Sequence, residues 1–215
     1  GYRENEPMGG YDPYSSSKGA AEIAIASWRC SFFNSADYGK KHHVSLASVR
    51  AGNVIGGGDW ALDRIIPDCI KALEAGKDID IRNPQAIRPW QHVLEPLSGY
   101  MLLASKMWKE PTKYCEGWNF GPRAESIVPV WDVATDVIKN YGSGQLNDIS
   151  TPNTLHAAKL LMLDISKAKF LLGWEPRMNI HQCIALTEDW YKRYKDEDVY
   201  ALCLEQIETY LAYGK

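Results

Sequence analysis

Tyr14-Ser15-Ser16-Ser17-Lys18 stands directly behind Asp12-Pro13, and together these residues fix the start of a helix. Asp is a favoured N-cap, and Pro is tolerated in the first turn, where its missing N–H would have had no partner. The sequence that follows sustains helix to about residue 36. Ala20, Ala21, Ile23, Ala24, Ile25, Trp28, Phe32 and Phe33 give it a broad apolar surface. That surface is equally suited to burial within one chain or against a second copy. Tyr14 and Lys18, four apart, share one helix face. An ammonium beside a phenol favours the phenolate, so Tyr14 can serve as a base near neutral pH. The same spacing also occurs on plain solvated helix faces.

Elements downstream alternate between the two periods. Residues 44–49 read as a strand, 53–60 as a glycine-rich loop, and 63–75 as a helix stopped at Gly76. A short strand is expected at 79–81, a helix at 94–109 ending before Pro111, and a strand at 118–120. A helix at 130–140 and a turn at 141–144 follow. Then come a strand at 159–163, a helix at 166–172 stopped at Gly173, and closing helices at 180–194 and 199–210. The charged stretch 192–198 reads as a solvated helix connection. The fold class is α/β, with no internal repeat and no long linker.

Composition narrows the function classes. The chain has 215 residues, 45% hydrophobic and 24% charged, with a net charge of −3, which gives no support for nucleic-acid or membrane-surface binding. No apolar run approaches the roughly 20 residues that cross a bilayer. The N-terminal residues carry no secretory pattern. Cys30, Cys69, Cys115, Cys183 and Cys203 are odd in number and scattered, so reduced, buried thiols in a cytoplasmic protein are expected. The five histidines lack zinc-site spacing relative to the cysteines, and no metal site is expected. His42 and His43 read as an exposed turn and His92 as a buried hydrogen-bonding residue. Trp90, Trp108, Trp118 and Trp131 read as core.

Four stretches taken in order carry a resemblance. They are Gly1-Tyr2-Arg3-Glu4-Asn5-Glu6-Pro7 leading to Tyr11-Asp12-Pro13-Tyr14, then residues 49–60 (VRAGNVIGGGDW), Ile87-Arg88-Pro89-Trp90-Gln91-His92-Val93, and Gly117-Trp118-Asn119-Phe120-Gly121-Pro122. The chain resembles the sugar-nucleotide 4,6-dehydratases of the extended short-chain dehydrogenase/reductase family, strongly over residues 1–122 and more thinly to about Trp190. Relatives carry His-Glu-Ala and a Tyr-rich strand before a Leu-Asp pair. Here the stretch is His156-Ala157-Ala158-Lys159-Leu160-Leu161-Met162-Leu163-Asp164, without the acid and the aromatic that the resemblance implies for one wall of the substrate pocket.

The resemblance implies NAD-dependent dehydration of CDP-glucose to CDP-4-keto-6-deoxyglucose. C4 is oxidised, water is lost across C5 and C6, and hydride returns to C6. Tyr14 would take the C4 hydroxyl proton, and Lys18 would hold the nicotinamide ribose and lower the Tyr14 pKa. Arg88 would bind the diphosphate, Asn53 would contact the substrate near the phosphates, and Arg64 would approach the nucleotide. Asn119 would contact the nucleotide, and Arg82 would stack on the base. Three of these have plainer alternatives: Asn53 as an Asx-turn residue, Arg64 as a helix-start surface charge, Lys18 as a surface lysine.

The resemblance also implies a particular portion of a longer fold. Dinucleotide-binding folds begin with a strand, a Gly-rich turn and a helix receiving the pyrophosphate, and this sequence has no Gly-x-Gly-x-x-Gly. Gly56-Gly57-Gly58 does not substitute for it and reads as a flexible loop close to the sugar nucleotide. That unit, about 140 residues or one typical domain, and the Thr-Asp-Lys or Thr-Asp-Glu cluster that assists elimination would lie upstream. The chain is therefore expected to be a C-terminal fragment, inactive alone. Residues 1–55 would end the Rossmann-type domain with the helix at 94–109 packed on it, and residues 56–215 would form mainly the substrate lobe. A homo-oligomer through the 13–36 helix is expected. An epimerase or reductase of the same fold, or a non-catalytic sugar-nucleotide-binding module, are the alternatives.

Overall fold

The computed structural model describes residues 1–10, 12–151 and 162–214, and its elements follow α/β order. The chain divides into two compact units, each assembled from three stretches of sequence. Gly1–Ala51, Leu97–Phe120 and Leu163–Glu175 form one; Gly52–Pro96, Gly121–Met162 and Pro176–Lys215 form the other.

The first unit is organised by helix α1 (Pro13–Ser31) and a parallel pair of strands, β1 (Ser48–Ala51) and β5 (Gly117–Phe120). Most of helix α3 (Leu94–Lys109) also belongs to it. Its core holds Leu103, Tyr114, Trp118, Phe120, Leu172 and Trp174. Gly99 is needed on α3 because a Cβ there would lie 2.3 Å from the Phe120 ring. The inward stripe of α1 is not its apolar one. Gly19 is buried and Glu22, Ile25 and Arg29 are half-buried, whereas Ile23, Trp28 and Phe32 are exposed. Arg29 Nε donates to the Leu46 carbonyl at 3.0 Å, so polar contacts attach this helix.

The second unit holds a three-stranded sheet in the order β2 (Asn53–Ile55), β4 (Ile87–His92), β6 (Ile127–Pro129). β2 and β4 run parallel; β4 and β6 run antiparallel. A smaller parallel pair joins β3 (Ile79–Ile81) to β7 (Leu146–Asp148). Around them lie α2 (Ile65–Glu74), α4 (Val130–Tyr141), α5 (Ile180–Arg193) and α6 (Val199–Ala212). On α2, Ile66, Cys69, Ile70 and Leu73 recur at helical spacing and are buried against Val133, Ala134 and Val137 of α4 in one core. Asn179 and Gln182 cap α5 reciprocally. Gly142 and Gly76 end α4 and α2 at φ of 95° and 63°, a region that favours glycine. The Glu95 carboxylate accepts from the Arg177 and Met178 amides, each at 2.7 Å, and from the Tyr210 hydroxyl at 3.0 Å. It thereby joins the chain before α5 to α6.

Several expectations shift. The first helix stops at Ser31, because Asn34 caps a separate turn by accepting from the Ala36 amide. The strand expected at 44–49 is paired only from Ser48, where its partner begins at Gly117. Residues 53–55 of the expected loop form β2, and 166–172 winds as a π-type turn over Ala168–Leu172 before Gly173. β4, β6 and β7 were not expected; the last two are three residues each, too short for a period-2 pattern to register. Trp108 is 88% exposed rather than core, and Cys30 and Cys203 are exposed, while the other three thiols are buried. The 192–198 connection is a network, with Arg193 pairing with Asp189, Glu197 and Glu205. Residues 156–161 of the departing stretch lie outside the described residues. Among the described residues no helix is long and apolar enough to cross a membrane.

Candidate functional site

The start of α1 is built as its sequence dictates. Asp12 Oδ1 accepts from the Ser15 amide at 3.0 Å, and the Ser15 hydroxyl also donates to its carboxylate. These bonds hold the Asp12 carboxyl below the usual range. The entry segment lies close on the helix: a Cβ on Gly19 would approach the Gly9 nitrogen to 3.1 Å, and Ser16 Oγ donates to the Gly10 carbonyl at 3.2 Å. Tyr14 is 73% exposed, and the Lys18 ammonium sits 5.5 Å from its ring centroid. A phenol and an ammonium are thus presented together at an open helix surface, where one can exchange a proton and the other can donate to hydroxyls.

One turn past Lys18, Glu22 fixes the orientation of that helix. Its Oε2 accepts from Arg50 Nη2 at 2.9 Å and from Ser48 Oγ at 2.8 Å, both on β1. Arg50 Nη1 donates to the Glu4 carbonyl at 3.1 Å. The charged bonds from Arg50 and Ser48 lower the Glu22 pKa against the opposing effect of burial. Sequence reasoning passed over Glu22 and Arg50. Their signal was a carboxylate four residues beyond Lys18 and an arginine inside a strand pattern.

Asn119 on β5 is 1% exposed. Its Nδ2 donates to the carbonyls of Tyr2 at 3.0 Å and Asp164 at 3.2 Å, while its amide donates to Glu4 Oε1 at 3.0 Å. The side-chain amide thus ties the N-terminal segment at Tyr2 to the chain at Asp164.

In the second unit, Asn53 stands opposite Trp90 in the parallel β2–β4 register. Arg88, two residues before Trp90, projects from the same sheet face. Glycine at 52 allows this pairing, since a Cβ there would lie 2.9 Å from Pro89 Cγ. Arg88 is half-buried, with Nη1 donating to the Ile87 carbonyl at 2.8 Å. Asn53 and Arg88 are thus brought onto one surface.

Arg64 occupies the N-cap position of α2 without a side-chain capping bond. It is 62% exposed by side chain, and its Nε lies 3.7 Å from Asp59 Oδ2. A guanidinium at the positive end of a helix reinforces an anion-attracting field. Arg82, just after β3, pairs with the Asp63 carboxylate, and Asp63 has a left-handed φ of 60°. Asp and Asn tolerate that region better than most residues. Segment 59–64 thus carries a carboxylate for each arginine. Among the described residues no group of three or more His, Cys, Asp or Glu side chains could hold a metal ion.

Comparison with known proteins extends this geometry. No protein-family model matches the chain. It is 48% identical over 213 residues to CDP-glucose 4,6-dehydratase of Salmonella typhimurium, an alignment spanning 99% of this chain and 59% of that protein. Its fold is shared with dTDP-glucose 4,6-dehydratase of Bacillus anthracis, solved with NAD (TM-score 0.73, 20% identity, 91% of this chain and 57% of the other). It is shared likewise with UDP-glucose 4-epimerase of Thermotoga maritima, solved with UDP-glucose (TM-score 0.72, 16% identity, 91% and 58%). The chain thus spans under three-fifths of the length of each.

Proposed function

We propose that this chain carries the tyrosine–lysine pair and the sugar-nucleotide-binding residues of a CDP-glucose 4,6-dehydratase. The reaction converts CDP-glucose to CDP-4-keto-6-deoxyglucose with net loss of water. The observation that carries the reading is the identity to a CDP-glucose 4,6-dehydratase along nearly the whole chain. The shared fold is neutral between dehydratase and epimerase, since both kinds of neighbour match equally well.

The exposed phenol and ammonium of Tyr14 and Lys18 suit the ribose and nicotinamide end of NAD, and NAD, when bound, supplies the hydride acceptor and donor. Tyr14 accepts the C4 hydroxyl proton as the alcohol becomes a ketone; C4 stays a ketone in the product, and the hydride taken from it returns to C6. Lys18 donates to ribose hydroxyls. Arg88 and Arg64 bind the diphosphate, for which planar guanidinium donors are well matched. Asn53 donates to the phosphate region from the Arg88 side of the sheet. Arg82, released from Asp63, stacks on the base. Asn119 supports the site by fixing the N-terminal segment. A second copy of the chain covers the exposed Ile23, Trp28 and Phe32 face of α1.

Ligand-dependent unfolding tests this reading. CDP-glucose at a hundred times its Kd stabilises the chain by about 2.7 kcal/mol, and CDP also stabilises it, whereas glucose alone does not. Equal shifts with glucose and CDP-glucose, or none with any ligand, overturn it.

A further inference from the structure

The loop at 56–60, between β2 and α2, is pinned to α5 at three points. A Cβ on Gly57 would fall 2.1 Å from Trp190 Cγ and 2.2 Å from Cδ2, so the backbone lies directly on the indole. The Tyr191 hydroxyl donates to the Asp59 carbonyl at 2.6 Å. The Trp60 ring packs edge-on against Tyr191 at 5.1 Å and tilted against Tyr194 at 5.5 Å. Trp190 and Tyr194 themselves stack at 4.9 Å with 3° between their planes. From α2, Lys71 Nζ donates to the Trp60 carbonyl at 2.7 Å.

Glycine serves close approach here rather than flexibility. Gly56 faces Val93 Cγ1 at 2.9 Å, Gly57 faces the indole, and only Gly58, at φ 80°, needs a left-handed backbone. Binding loops are commonly drawn from the less stable parts of a fold. This one is held against α5 by the contacts of Gly57, Asp59 and Trp60. Burial pushes the Tyr191 phenol up to about 12, so it stays a donor across the working pH range. Asp59, whose carbonyl is held by Tyr191, presents its carboxylate to Arg64.

We infer that Trp190, Tyr191 and Tyr194 are positioning residues that fix the 56–60 loop and, through Asp59, aim Arg64 at the diphosphate of the nucleotide. The inference rests on the reading given under the proposed function. A loop fixed in advance loses less conformational entropy on binding, so the platform acts on affinity.

The test compares the chain with its Tyr191→Phe, Trp190→Phe and Trp190→Ala variants. Amide hydrogen exchange over residues 56–61 reports the loop, and calorimetric titration with CDP reports Kd and stoichiometry separately. Tyr191→Phe should speed loop exchange and raise the CDP Kd roughly tenfold at unchanged stoichiometry. Trp190→Phe, which keeps a ring under Gly57, should stay within about threefold, and Trp190→Ala should exceed the effect of Tyr191→Phe. Faster loop exchange with an unaltered Kd overturns the inference and leaves the functional reading standing. Reduced stoichiometry with an unaltered Kd assigns the aromatics to folding alone and also overturns it. An unsubstituted chain that binds no CDP overturns the functional reading, and the inference with it.

Discussion

Glu22 Oε2 accepts from Arg50 Nη2 at 2.9 Å, two helical turns beyond Tyr14 and one beyond Lys18. The side chains of the pair are only 16% and 20% exposed, and Ser48 completes the carboxylate's bonding. Because Ile23, Trp28 and Phe32 of α1 are exposed, this ion pair and the Arg29 bond to Leu46 contribute much of what holds the helix on β1. They therefore help set the direction in which Tyr14 and Lys18 face.

Glu22→Ala leaves the Arg50 charge without its carboxylate, and should cost about 2–4 kcal/mol in denaturant unfolding. Glu22→Gln retains an acceptor and should cost about 1 kcal/mol. Equal losses would show that packing of the side-chain stem, not the charge, holds the helix.

How far the sequence alone reached can be judged from these residues. Asp12-Pro13 and the glycines at 76, 142 and 173 are local signals, and the helix start and stops follow from them. The helix at 94–109 was legible to the residue for the same reason. The outward turn of Ile23, Trp28 and Phe32 was not, because periodicity reports which residues share a face and not what that face meets. Gly56-Gly57-Gly58 was read as flexible because the platform beneath it comes from residues 190–194, more than 130 positions away. The motif offers Asn119 as a nucleotide contact, and it could not show that the side-chain amide also donates to the backbone carbonyls of Tyr2 and Asp164, since both lie far from it in sequence.

The three arginines should contribute unequally to CDP-glucose binding. Arg88→Met should weaken CDP-glucose binding by roughly 10–100-fold, as expected for loss of charged hydrogen bonds to a diphosphate. Arg64→Met should weaken it less, and Arg82→Met least, since Arg82 is paired with Asp63. Calorimetry on the three variants gives the order, and a dominant Arg82 effect would contradict this assignment.

Glu188 on α5 gives the fold a pH dependence. It is 1% exposed, and burial pushes its pKa up to about 7 against the lowering effects of the Asn140 side chain and the Lys192 charge. Below about pH 4 it is protonated in folded and unfolded chains alike, and its full contribution is present. As pH rises the unfolded chain ionises first, so stability falls until the folded carboxyl ionises near pH 7, by at most about 3 kcal/mol. Glu188→Gln should remove this slope and stabilise the chain at pH 8 relative to pH 5, as read by denaturant unfolding at both values. An unchanged slope would place the titrating group elsewhere.

Trp28→Glu with Phe32→Glu places charge on the exposed face of α1 without touching the inward Gly19–Glu22–Arg29 stripe. Sedimentation velocity should show the unsubstituted chain self-associating and the double variant monomeric at the same concentration, with unchanged circular dichroism. A variant that associates as before would remove α1 from the interface.

The most direct test of the account is calorimetric titration of the chain with CDP-glucose, UDP-glucose and dTDP-glucose in parallel. Saturable binding with CDP-glucose preferred by tenfold or more, about 1.4 kcal/mol, and lost in Arg88→Met, is the predicted result. Equal affinity for all three, or binding that survives Arg88→Met unchanged, would contradict the assignment of Asn53, Arg64 and Arg88 to a CDP-sugar site.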